Sequence, residues 1–103
     1  MARFKIVLTD NATRNIDQYI DFITLNYSAP LTALRNYQGL FDTIYSLQLI
    51  ADSIPFVSNS FIIHSFGFGA KRINYKRMAI IFKIQNETVI ILGVVPQANI
   101  KTR

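Results

Sequence analysis

Between Ala12 and Tyr27 the apolar residues fall at Ile16, Tyr19, Ile20, Ile23 and Tyr27, spaced by three and four. That spacing sets them on one stripe of an α-helix, with Arg14, Asp17, Gln18, Asp21 and Thr24 mostly on the wet face. Phe4–Thr9 alternates weakly and is rich in Ile and Val, which predicts a short strand ahead of the helix. Thr9 or Asp10 then caps the helix, because a side-chain oxygen there accepts from N–H groups that the first turn leaves unpaired. Asn26-Tyr27-Ser28-Ala29-Pro30 breaks the period. Ser28 is the expected N-cap of a second helix, and Pro30 fits its first turn, where a missing N–H costs nothing. Leu34, Tyr37, Phe41, Ile44 and then Tyr45 or Leu47 form the second stripe. Gly39 interrupts it at a propensity cost of about 1 kcal/mol and leaves room for close helix approach. Pro55 excludes the α conformation at Ile54, so this helix ends between Ala51 and Ile54. Two long amphipathic segments so briefly connected predict an antiparallel helical hairpin.

The second half changes period. Ala70–Tyr75 alternates and predicts a strand, and Lys76-Arg77, poor turn formers, must reverse the chain before the next apolar run. Met78, Ile80, Phe82 and Ile84 then share one strand face, with Ala79, Ile81 and Lys83 on the other. After the polar Gln85-Asn86-Glu87, Thr88–Val95 is apolar on both faces, as in a central strand covered on both sides, and Pro96 ends it. The order predicts an α+β domain over residues 1–103: an N-terminal strand, an antiparallel two-helix hairpin, then a three-stranded antiparallel meander forming one sheet. Residues 52–69 fit least well, being rich in Ile and Phe yet punctuated by Ser, Asn and Gly. They are expected to form a loop or edge strand laid across the core, with a partner-docking surface as the alternative.

Composition narrows the class. Half of the 103 residues are hydrophobic and 17% are charged, enough for one domain with a sizeable core. The chain has no Cys, which removes disulfide frameworks, thiol nucleophiles and Cys-based metal sites. The first apolar run stops at Thr9-Asp10-Asn11, short of a signal segment, and Met78–Phe82 and Val89–Val95 are far shorter than the roughly 18 residues of a membrane span. A soluble, cytoplasmic protein without a membrane partner is the expectation. Residues 1–52 hold four bases and five acids, whereas residues 53–103 hold seven bases and one acid, Glu87. Such asymmetry reads either as contact with nucleic acid or an acidic protein, or as a solvated basic face that keeps a hydrophobic chain soluble.

Candidate chemistry is sparse. One His and six scattered acids leave little for metal clusters, nucleophile triads or paired carboxylates, and no glycine motif cradles a phosphate. No cofactor or metal is expected. His64, in the apolar run Phe61–Phe66, reads as a core or interface histidine. What remains is basic and aromatic: Lys71, Arg72, Tyr75, Lys76, Arg77 and Lys83, with Lys101 and Arg103 beyond them. Lys and Arg neutralise phosphates and Tyr stacks on unpaired bases. Alternation puts Arg72 and Asn74 on one face and Lys71, Ile73 and Tyr75 on the other, so it does not gather the bases into one patch. Lys76-Arg77 reads equally as a charged turn that prevents edge-to-edge association.

The opening FKIVLTDNATRNIDQYIDFI, the segment SAPLTALRNYQGLFDTIYSL and the block KRINYKRMAIIFKIQNETVIILGVV together resemble the RelE/ParE superfamily of bacterial type II toxins. Arg72, Tyr75, Phe82, Val89 and Ile91 carry the likeness in the last block. The resemblance implies a small toxin of a plasmid-stabilisation module, neutralised by a cognate antitoxin. One branch of the superfamily cleaves mRNA on the ribosome without a metal, and the other poisons DNA gyrase. Arg72 matches a basic position of the nuclease branch, whereas the third-strand Arg is replaced by Ala79 and the charged end of the last strand by Pro96-Gln97-Ala98-Asn99. Those replacements remove charge that a phosphoryl-transfer transition state requires. The expectation is therefore growth inhibition by binding a target such as gyrase. A nuclease using Arg72 with Lys76 or Arg77, helped by Lys101 and Arg103, is the first alternative, and an inactive antitoxin-binding module is the second.

Overall fold

The computed structural model describes residues 3–27 and 29–100, so Ser28, Lys101 and Arg103 lie outside the described residues. Strand β1 (Lys5–Leu8) leads into helix α1 (Asp10–Tyr27), which is followed by α2 (Pro30–Ile50) and a 3-10 turn (Ala51–Ser53). A short helix α3 (Ser60–Phe66) precedes the meander β2 (Lys71–Tyr75), β3 (Met78–Gln85) and β4 (Thr88–Pro96), and Gln97–Asn99 forms a last 3-10 turn. The sheet order is β1-β4-β3-β2, with β1 parallel to β4 and the meander pairs antiparallel. The α+β order read from the sequence is the observed one. Among the described residues no helix is long and apolar enough to cross a membrane.

Thr9, rather than Asp10, caps α1. Its Oγ1 accepts from the Ala12 N–H at 3.1 Å and donates to the Ile91 carbonyl at 2.9 Å, so one hydroxyl closes the helix end and pins it to β4. The N-cap of α2 is Ala29, which makes no side-chain cap bond, with Pro30 in the first turn. Gly39 does not serve helix–helix approach. A Cβ there would overlap the Tyr75 phenol, so the glycine makes room for a β2 side chain under α2.

Both sheet faces are covered. Ile16, Leu40, Ile44, Leu47, Ile80, Phe82, Val89 and Ile91 form the larger core, between the helical hairpin and the sheet. Ile62, Ala70, Ala79, Ile81 and Ile100 form the second, with Phe61, Phe66, Leu92 and Val95 packed around them. Residues 52–69 are thus neither a simple loop nor an edge strand. Asn59 accepts from the Ile62 N–H at 3.1 Å and starts α3, which carries Ile62 into the second core. The strand-like element in this segment is the short pairing of Phe56 with Lys71.

The register between β3 and β4 slips: Ile81 pairs with Gly93 but Phe82 pairs with Ile91, leaving Leu92 extra. The bulge changes the parity of β4, so Val89, Ile91 and Val94 meet the hairpin while Leu92 and Val95 meet the second core. Gly93 sits where Phe66 presses in; a Cβ there would lie 2.7 Å from the ring.

Because β1 covers β4 only as far as Ile91, the next stretch of the β4 edge needs other partners. Helix α1 supplies them. The Asn11 amide donates to the Leu92 carbonyl at 2.9 Å, and the Asn15 Oδ1 accepts from the Val94 N–H at 3.0 Å. Asn15→Ala leaves that N–H unpaired and will lower unfolding free energy by about 1–2 kcal/mol in denaturant titration. Exposed α1 positions such as Asp17 should be neutral in the same assay.

Candidate functional site

The β2–β3 turn consists of two residues, Lys76 and Arg77, between the paired Tyr75 and Met78. Lys76 lies at φ 52°, a left-handed conformation that costs a non-glycine residue roughly 1–2 kcal/mol. Gln97, just past β4, holds this turn in place. Its backbone N–H donates to the Arg77 carbonyl at 2.8 Å, and its side-chain Nε2 donates to the Lys76 carbonyl at 2.7 Å. The Gln97 Oε1 accepts from the Arg72 Nη2 at 2.9 Å, and the Arg72 Nε donates to Asn74 at 2.8 Å. One residue, through its backbone N–H and its side-chain amide, therefore gathers Arg72, Lys76 and Arg77 at one end of the sheet. No local pattern announces this role, because Gln97 acts on residues far back in the chain.

Beside the turn lies a cleft of about 790 Å³ between α1 and the ends of β3 and β4. Tyr19, Phe22, Met78, Val94 and Pro96 supply apolar wall, Asn15, Gln18 and Asn99 polar wall, and Lys76 and Arg77 stand at its lip. A smaller cleft of about 320 Å³ continues past the same two cations to Ile23, Thr32 and Asn36. Tyr19 belongs to both, and its phenol donates to Asn36 at 3.4 Å. Burial first, and the neighbouring Tyr75 second, push the Tyr19 hydroxyl above its usual range, so it is a neutral donor rather than a proton acceptor. The periodicity that made Tyr19 a core residue gives no sign of its place in the cleft wall.

Of the other basic and aromatic candidates, Lys71 and Lys83 do not join this site, and Tyr75 borders it from beneath the turn. Lys71 is 6% exposed. Its Nζ donates to the Ala51 carbonyl at 3.2 Å and lies 4.8 Å from the Phe56 ring centroid, so it seals the core edge rather than meeting a target. Tyr75 is half-buried, with its phenol packed beneath α2 at Gly39 and the Lys76 Nζ 5.8 Å from its ring centroid, so its ring supports the turn instead of offering an open stacking face. Lys83, half-buried, pairs with Ile90 toward the opposite end of β3. Ala79 is fully buried in the second core. His64 is exposed on α3, not in the core. Among the described residues no group of His, Cys, Asp or Glu could hold a metal ion.

This combination of a β1-hairpin-meander frame and a basic turn beside a helix-walled cleft has the RelE/ParE-like fold. The chain is similar to a chain of the chromosomal ParDE toxin–antitoxin system of P. aeruginosa, with a TM-score of 0.72 at 16% identity over 91% of this chain and 96% of that one. It is also similar to a chain of the RelBE2 toxin–antitoxin complex of Mycobacterium tuberculosis, with a TM-score of 0.64 at 15% identity over 96% and 97% of the two chains. At such identities the likeness is one of fold. No protein-family model and no curated protein matches the chain.

Proposed function

We propose that this chain is the toxin of a type II toxin–antitoxin module, that it stops growth by binding a macromolecular target such as DNA gyrase, and that a cognate antitoxin neutralises it. The observation that carries the reading is the exposed Lys76–Arg77 turn beside a largely apolar cleft in which, among the described residues, no carboxylate or histidine takes part. Such a surface recognises an anionic or acidic macromolecule, while catalysis would need a proton acceptor and donor placed across the scissile bond. The fold shared with chains of two toxin–antitoxin assemblies supports the antitoxin as partner. Ribosome-dependent, metal-free cleavage of mRNA is the second reading. It is favoured by the way Gln97 brings Arg72 to the same sheet end as Lys76 and Arg77. Against it stands the Arg72 guanidinium, already bonded to two amides, and the buried Ala79.

Induction of the chain in a bacterium, alone and together with the product of its neighbouring gene, tests both. The expected result is arrest relieved by the neighbour, with intact mRNA and an induced DNA-damage response. Cleaved mRNA would transfer the assignment to the nuclease reading, and unimpeded growth would remove both.

A further inference from the structure

Helix α2 is apolar on two sides, and only one of them is used. Leu40, Ile44 and Leu47 are buried in the core between hairpin and sheet, Ala33 is buried as well, and Asn36, bonded by Tyr19, marks the flank on which α1 packs. Around the helix from these, Leu34, Tyr37, Phe41, Tyr45 and Leu49 follow one another at spacings of three and four. Leu34, Tyr37, Tyr45 and Leu49 are 43–54% exposed, and Phe41 is half-buried between the two tyrosines. The three rings form a ladder, with centroids 4.9 Å apart for Tyr37–Phe41 and 6.1 Å for Phe41–Tyr45. A continuous apolar stripe of this kind on one helix is what a partner helix covers.

The charges beside the stripe select the partner. Arg35 and Asp42 are the two charged residues of α2, both are exposed, and they stand one heptad apart. They therefore occupy the same flank of the stripe. When two antiparallel helices are related by a two-fold axis, that axis keeps each flank on its own side, and residues of the same heptad position face their counterparts across the seam. With the axis between Gln38 and Gly39, Arg35 meets the partner's Asp42, and Asp42 meets the partner's Arg35. The same register drops Leu34 between the partner's Phe41 and Tyr45 and sets the two Gln38 amides against each other. A parallel pairing would instead set each flank against the partner's opposite flank, leaving Arg35 and Asp42 without a charged counterpart on the partner's α2.

From this reciprocal arrangement we infer that a second copy of this chain covers the outer face of α2, forming an antiparallel two-fold dimer. The inference does not depend on the toxin reading and leaves the Lys76–Arg77 cleft, on the α1 side, open in both copies. One helix pair makes a small interface, so the dimer dissociates on dilution.

Light scattering and sedimentation of the purified chain over a wide concentration range provide the test. The expected mass rises from 11.8 kDa toward twice that value as concentration increases. Asp42→Arg places like charges in opposition at both ends of the seam and should raise the dissociation constant by about tenfold or more. The double variant Arg35→Asp with Asp42→Arg restores both ion pairs in reverse and should return dimerisation to within a few-fold of the original chain. Both positions are exposed, so the melting temperatures of the variants provide a folding control. A chain monomeric at every concentration, as when only an antitoxin covers this face, overturns the inference. So does an Asp42→Arg variant that dimerises as before, or a double variant that stays as weak as the single one.

Discussion

Reversing both cations of the β2–β3 turn, Lys76→Glu with Arg77→Glu, will abolish growth arrest by the induced chain while its melting temperature stays close to that of the original. The two effects separate because the turn is held by backbone rather than by its side chains. Gln97 bonds the Lys76 and Arg77 carbonyls, and Tyr75 and Met78 pair on either side. Both side chains are exposed, so the substitutions remove surface charge without opening the core. At a contact with an anionic target, exchanging two attractions for two repulsions costs several kcal/mol, a loss of affinity on the order of a hundredfold or more. Lys83→Glu, at the other end of β3, removes a similar charge away from the cleft and should leave arrest intact. Viable counts after induction measure both. Persistent arrest by the doubly reversed chain would remove this turn from the target-binding surface.

The largest loss of stability is expected from Phe82→Ala, at about 4 kcal/mol. Phe82 is fully buried and has the largest fully buried side chain among the described residues. It lies between the helical hairpin and the sheet, at the point where β3 and β4 change register. Neighbours on both sides are fixed, by the bulge in β4 and by the two packed helices, so the cavity cannot collapse and the full penalty for lost contacts applies. For a domain of this size such a loss lowers the melting temperature by roughly 15–30 °C. Thermal unfolding followed by circular dichroism would show it, and a fall of only a few degrees would mean that the core around Phe82 closes up.

Legibility in the chain varied with the length over which a pattern could repeat. Helix α1 was readable because five apolar positions repeat at helical spacing and an oxygen-bearing residue stands at its start. The meander was readable because Met78–Ile84 alternates before a polar turn. Helix α3 was not. Its seven residues are too few to display a period, and their apolar content, needed to build the second core, made them look like covered strand or loop. The β4 bulge was hidden for a related reason, since a strand buried on both faces carries no polar residue to betray a change of parity. At the site, the inward direction of Lys71 was present in the alternation that put it with Ile73 and Tyr75, the face that meets the hairpin. Its charge masked that signal. The organising role of Gln97 had no local trace, because its partners are 20 or so residues distant and are mostly backbone.

The parallel pairing of Lys5–Leu8 with Thr88–Ile91 also sets the order of events during synthesis. The strand that β1 needs is translated long after it, and so is the Ile91 carbonyl to which Thr9 is tied. Strand β1 waits for its neighbour, 83 residues later in the chain, which takes several seconds to add at typical elongation rates. Contacts of such long sequence separation form slowly and late. A nascent chain therefore carries its helical hairpin without a completed sheet beneath it. The β2–β3 turn and its cleft take shape only once β4 and Gln97 have been added, so the folded surface that a partner would read is late to appear.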